Sequence, residues 1–195
     1  MAAAPTAQKS SGYWAVPVAR AVVALVAAGV ITFTANHSAT FGLIVFGVYA
    51  VVEGLLVGIL SLRTVPDRTT RRLFVAQGVI GVIAGVLALA LSSSGLGLFL
   101  YLVSVWAALT GFLELYCGLR SRSKDSSARD WIVVGAFTAV LAIVFLLIPS
   151  DSVLAVGLFG AYAVILGVYL GIGGFSLKWA AQHPTPTERP MESGS

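Results

Sequence analysis

Three copies of one unit, each carrying two apolar blocks of about 20 residues, leave this chain few ways to fold. Shifting the stretch 46–58 by 57 carries Gly47, Tyr49, Ala50 and Gly54 onto Ser104, Trp106, Ala107 and Gly111, and a further 56 carries them onto Gly160, Tyr162, Ala163 and Gly167. Upstream, Ala21, Gly78 and Gly135 keep the same spacing; downstream, Arg63, Arg120 and Lys178 close each unit. A fixed period of this order marks a repeated supersecondary unit. The apolar blocks cover 13–34, 40–61, 72–91, 97–118, 131–148 and 153–175. Each is long enough for a helix to cross about 30 Å of hydrocarbon at 1.5 Å per residue.

Soluble domains carry about a quarter charged residues; here 10% are charged and 58% hydrophobic, with a mean hydropathy of +0.95. Lipid is therefore the solvent. None of the blocks alternates apolar and polar residues as barrel strands do. The expected fold is an all-α integral membrane protein of six transmembrane helices, arranged as three parallel helical-hairpin repeats over 13–63, 72–120 and 131–178. Residues 1–12 read as a disordered cytoplasmic lead and 179–195 as a disordered tail. The first block, behind Lys9 and Arg20, has some signal-peptide character, but its register with the later repeats makes it a helix of the membrane domain.

All twelve Lys and Arg fall near the termini, in the links 63–72 and 120–130, or in adjacent helix ends, and the turns near Asn36, Ser93 and Ser150 hold none. Positive charge is retained on the cytoplasmic side, so both termini are expected inside. Topology thus accounts for the net charge of +4, and nucleic acid is not an expected partner; the bilayer is, together with a membrane-protein partner or a second copy of the chain.

Small residues form stripes. Gly47, Ala50, Gly54, Gly58 and Ser61 share one face of the second helix, Ser104, Ala107, Gly111 and Gly118 one face of the fourth, and Gly160, Ala163, Gly167, Gly171 and Gly174 one face of the sixth. In lipid, close backbone approach through small residues drives helix association. These faces are expected to pack towards the middle of the bundle, filling it with close backbones.

Charge inside the spans is costly, at least about 2.5 kcal/mol per residue near a helix centre. Arg20 lies about 10 Å into its helix and Glu53 about 15 Å up from Arg63, counted at 1.5 Å per residue. The two are expected to pair within the first hairpin. Glu114, six residues above Arg120, is expected to snorkel to the interface. Arg20 aligns with Gln77 and Val134, and Glu53 with Thr110 and Leu166, so no ring of three carboxylates exists. His37 reads as a solvated turn residue, and the single Cys117 as a buried thiol without a disulfide partner. No zinc-protease motif, paired Cys or His at metal spacing, or phosphate-binding loop is present, so neither an enzyme nor a cofactor is expected.

The stretches that carry the repeat also resemble a known family. Trp14 with Arg20, the run 46–54 (FGVYAVVEG), the run 111–120 (GFLELYCGLR) and the run 159–167 (FGAYAVILG) are similar to those of the HdeD-type acid-resistance membrane proteins, small bacterial inner-membrane proteins of three hairpins. The resemblance spans 13–178 and departs at Ala21, where an Arg-Gly pair is usual, and in the serine-rich second turn. It implies a structural or stress-protective membrane protein, of the kind that serves as an accessory of a larger complex. A transporter or channel for protons or small solutes that uses Glu53, Arg20 and Glu114 is the alternative.

Overall fold

Why six helices form follows from the pattern of apolar residues and caps. In a computed structural model, which describes residues 14–65, 67–122 and 127–182 (backbone alone for 180–182), the elements are α1 (Ala15–Phe33), α2 (Ala39–Thr64), α3 (Arg68–Ala90), α4 (Leu96–Ser121), α5 (Ala128–Leu147) and α6 (Ser152–Gln182). All six are long and apolar enough to cross a membrane. Ser38, Asp67 and Asp151 cap α2, α3 and α6, each taking the backbone N–H three residues on, at 3.3, 2.8 and 2.8 Å. Such caps are worth about 1 kcal/mol each. Gly95, with φ 85, makes the left-handed step into α4, which a residue with a Cβ adopts only at a cost.

The helices overrun the expected blocks at the charged ends. α3 begins at Arg68 rather than 72, and α6 continues to Gln182, beyond 178. The reason is physical: the bilayer limits the apolar segment of a span, and hydrogen-bonded helix continues into the headgroups wherever no breaker intervenes. The expected lead 1–12 and the tail from 183 lie outside the described residues, as does Pro66.

Large apolar side chains point away from the bundle. Phe33 is 91% exposed, Leu147 78% and Trp179 70%, and exposed Val, Leu and Ile run along every helix. An apolar surface of this extent is a lipid-facing one. The chain is a multi-pass membrane protein whose two helical ends, Ala15 and Gln182, lie on the same side of the bundle as the helix ends Thr64, Arg68, Ser121 and Ala128.

The packing inside corrects one expectation. The small faces do not meet in the middle; each even helix lays its stripe on the odd helix of the next unit. A Cβ placed on Gly54 would lie 2.6 Å from Gly78 O and 2.9 Å from Val82 N. One on Gly111 would lie 2.7 Å from Ala139 N, and one on Gly167 2.7 Å from Leu25 Cγ. The close pairs are therefore α2 with α3, α4 with α5, and α6 with α1, so the ring closes head to tail and each seam joins two repeats. Sequence neighbours joined by the short turns pack less closely, because the dispersion gained at glycine contacts is concentrated on the inter-unit face.

The middle is filled by side chains instead. The inward stripe of α2, namely Phe46, Tyr49, Glu53 and Val57, sits one residue before the small stripe, about 100° round the helix. Its equivalents are Val103, Trp106, Thr110 and Glu114 on α4, and Phe159, Tyr162, Leu166 and Leu170 on α6; all are buried. They stack as layers along the pseudo-threefold axis. Nearer the turns, Phe46 packs edge to face on Phe159 at 5.6 Å and on Trp106 at 5.5 Å, Tyr49 on Trp106 at 5.9 Å, and Phe99 on Phe145 at 5.8 Å. Such contacts between rings add about 0.5–1.5 kcal/mol each beyond area burial.

Candidate functional site

Polar chemistry enters this core at adjacent positions of the layered rings. Where exact triplication would repeat one side chain three times, the ring of Arg20, Gln77 and Val134 holds one cation, the ring of Glu53, Thr110 and Leu166 one acid, and the ring of Val57, Glu114 and Leu170 another. The three departures converge. Arg20 Nε donates to Glu53 Oε1 at 2.5 Å, Arg20 Nη1 to Glu114 Oε1 at 2.7 Å and Nη2 to Glu114 Oε2 at 3.4 Å, while Gln77 Nε2 donates to Glu114 Oε2 at 3.2 Å. One guanidinium thus grips two carboxylates, and α1, α2, α3 and α4 are tied through their side chains.

Arginine suits this task because its planar fork presents several donors at fixed angles. Arg20, Glu53, Gln77 and Glu114 are 8%, 6%, 6% and 1% exposed. Glu114 therefore does not snorkel. Its inward ring position aims it at Arg20, and three donated hydrogen bonds replace the water it would meet at the interface. Arg20 pairs with Glu53 of its own hairpin and, in addition, with a carboxylate from the next repeat.

The donors are unevenly shared. Glu114 receives three, Glu53 one. Glu53 Oε2 and Gln77 Oε1 are buried without a hydrogen-bond partner, and an unmet buried acceptor costs about 1–3 kcal/mol. Both residues line one small cavity of about 10 Å³, closed in by Tyr49, Trp106, Thr138 and Tyr162. On its turn-side wall Thr138 Oγ1 lies 2.9 Å from Tyr162 Oη.

A second cavity of about 40 Å³ lies on the side of the links. Arg20, Glu114 and Val57 line both cavities; Ser61, Thr64, Val65, Phe74, Trp131 and Asp130 carry the second towards the helix ends. A water needs about 10–15 Å³ of such space, so this cleft is large enough for a short file of waters. Asp130 at its edge accepts a hydrogen bond from Tyr169 Oη at 3.0 Å, and Phe74 packs edge to face on Trp131 at 5.0 Å.

The other expected residues fall elsewhere. Gly47, Gly54, Gly58, Gly111, Gly160, Gly167 and Gly171 belong to the seams between repeats. Gly58 and Gly171 are loosely held there, their nearest neighbours being Gly78 Cα and Ala21 Cβ, each 3.9 Å from a Cβ built on them. Ala21 stands where Gly78 and Gly135 stand in the other seams, with its carbonyl oxygen 3.2 Å from a Cβ built on Gly167. His37 is half-buried at the first turn, its Nδ1 3.4 Å from Ala35 O. Cys117 is fully buried. Gln77 was not singled out from the sequence as a member of the site; its signal was its alignment with Arg20, which places a polar side chain at an equivalent ring position.

Comparison with known proteins locates the same unit independently. A family profile described as a short repeat of unknown function (DUF308) matches twice, over 19–90 and 76–147, and the second match starts 57 residues after the first. Neither the curated proteins nor the solved structures contain a significant match. With both matches joined into one stretch, 19–147, that holds Arg20, Glu53, Gln77 and Glu114, the chain belongs to the family of short repeats of unknown function (DUF308).

Proposed function

We propose that this protein is a stress-protective integral membrane protein of the acid-resistance type, lying in the inner membrane of a bacterium with both termini in the cytoplasm and serving as an accessory of a larger membrane complex. The aromatic packing of the bundle axis carries this reading. Phe46, Phe99 and Phe159 are fully buried and in mutual ring contact near the turns, which favours a rigid scaffold over a conduit. The Arg20 cluster then serves as a polar lock that fixes α1 to the three helices that follow it. Nearly all the described chain is membrane helix, and a protein so built acts through its lipid-embedded surface and its links. The resemblance to the HdeD-type proteins supports the protective role.

The cleft beside Arg20 and Glu114 favours a second reading, a small transporter that uses Arg20, Glu53 and Glu114. One pair of measurements separates the two. The scaffold reading expects proteoliposomes to show no flux of protons or small solutes above that of empty vesicles, and the tagged protein, solubilised in mild detergent, to copurify with a membrane partner. Proton flux lost in Glu53→Gln would replace it with the transport reading.

Orientation rests on the distribution of Arg63, Arg68, Arg71, Arg72, Arg120, Arg122 and Arg129 at the link side and on the retention of positive charge inside. Single cysteines at Asn36 and Ser93 are expected to react with a membrane-impermeant thiol reagent in intact cells, and one at Arg68 only after permeabilisation. Because native Cys117 is fully buried, it adds little background. The reverse pattern would overturn the assignment.

A further inference from the structure

We infer that the Arg20–Glu53–Gln77–Glu114 cluster is a binding site for a single proton, carried on Glu53 and exchanged with water through the cleft on the link side. This goes beyond the scaffold reading and does not depend on it.

The count of charges comes first. Two carboxylates share one guanidinium, and among the described residues lining either cavity Arg20 is the sole Lys, Arg or His. With both acids ionised the cluster would hold one uncompensated negative charge in a site that is nine-tenths buried, where an isolated charge is strongly disfavoured. One added proton makes it neutral.

Geometry then selects the acid. Glu114 is served by Arg20 Nη1, Arg20 Nη2 and Gln77 Nε2, which is the environment of a carboxylate anion. Glu53 receives Arg20 Nε alone, on Oε1. Its Oε2 is unpartnered, and so is Gln77 Oε1 on the wall of the same small cavity. A proton on Glu53 Oε2 supplies the donor that these two acceptors lack. No covalent bond other than the O–H forms, and the proton comes from water.

Access follows from the two cavities. Tyr49 from α2 and Tyr162 from α6 face the cluster on the turn side, with Trp106 beside them; both tyrosines are uncharged when protonated. On the link side α5 contributes Asp130, at the edge of the cleft. Arg20, Glu114 and Val57 stand between the cleft and the inner cavity, so a proton entering by the cleft passes Glu114 before reaching Glu53. Further along the axis, the ring contacts of Phe46, Phe99 and Phe159 hold the turn side closed.

Infrared spectroscopy of the full chain in lipid tests this, because a protonated carboxyl in a dry site gives a carbonyl band distinct from that of a carboxylate. The wild type is expected to show one such band at neutral pH. Glu53→Gln and Glu114→Gln are each expected to lose it, since either leaves one acid for one arginine and a neutral cluster. Asp130→Asn is expected to keep it. Val57→Phe, which narrows the junction of the two cavities, is expected to keep the band and slow its shift on transfer to deuterated water severalfold. A wild type without the band, or a band that survives Glu53→Gln, overturns the proton site, and the first of these needs no variant to fold. Unslowed exchange in Val57→Phe overturns the route through the cleft.

Discussion

Arg20→Met is expected to be the most damaging single substitution in the protein, lowering its stability by about 3–5 kcal/mol, the range seen when one partner of a buried ion pair is removed. The magnitude does not come from lost hydrogen bonds as such, since bonds between neutral groups of neighbouring membrane helices average only about 0.6 kcal/mol. It comes from the Glu114 carboxylate, which is left buried beside Glu53 with no cation to compensate it. The partner variants sharpen the test. Glu53→Gln leaves Arg20 with Glu114 and is expected to cost far less, and the combination of Arg20→Met with Glu53→Gln and Glu114→Gln is expected to recover most of the lost stability. Thermal unfolding in detergent, with membrane abundance as a second readout, measures each. Full stability of Arg20→Met would show that the cluster is no lock.

Gly54→Ala is expected to be nearly as harmful, although it adds one methyl group. Its Cβ would lie 2.6 Å from Gly78 O and 2.9 Å from Val82 N. Both are backbone atoms of a packed helix and cannot swing aside, so α2 and α3 must separate along the seam. Overpacking of this kind costs about 1–3 kcal/mol, and the separation also loosens the contacts of Gly47 and Gly85 above it. Gly58→Ala, one turn along the same stripe, meets nothing nearer than Gly78 Cα at 3.9 Å. Alanine is the better helix former by about 1 kcal/mol, so this variant is expected to be neutral or slightly stabilising. A spacing motif would treat Gly54 and Gly58 alike, and unfolding temperatures of the two variants decide whether the seam geometry or the motif governs. Equal effects would refute the seam.

The contrast also shows what was legible in the sequence. Six spans and their repeated pairing could be read from apolar length and from the offset of 57, because these depend on composition along the chain; where the helices end could not, since α3 begins at Arg68 and α6 runs to Gln182. Which neighbour each stripe faces could not. Phe46, Tyr49, Glu53 and Val57 have the same three-and-four spacing as Gly47, Ala50, Gly54 and Gly58, so α2 carries two adjacent stripes, and spacing alone does not tell the axis from the seam. Glu114 was misplaced for a related reason. Its distance from Arg120 measured depth along the helix but not rotation about it, and rotation decides that it meets Arg20 instead of the headgroups. Arg20 and Glu53 were legible because intramembrane charge requires a partner and their depths agree.

The head-to-tail closure of the ring has a consequence for biosynthesis. α1 leaves the ribosome first, yet the surface it packs against most closely belongs to α6, which leaves last, and domains begin to fold from the N-terminus as synthesis proceeds. During that interval α1 has no glycine seam to occupy. The guanidinium on its inner side finds Glu53 as soon as α2 is inserted and Glu114 once α4 follows, so the first span is moored to the growing assembly by charge well before its van der Waals berth exists.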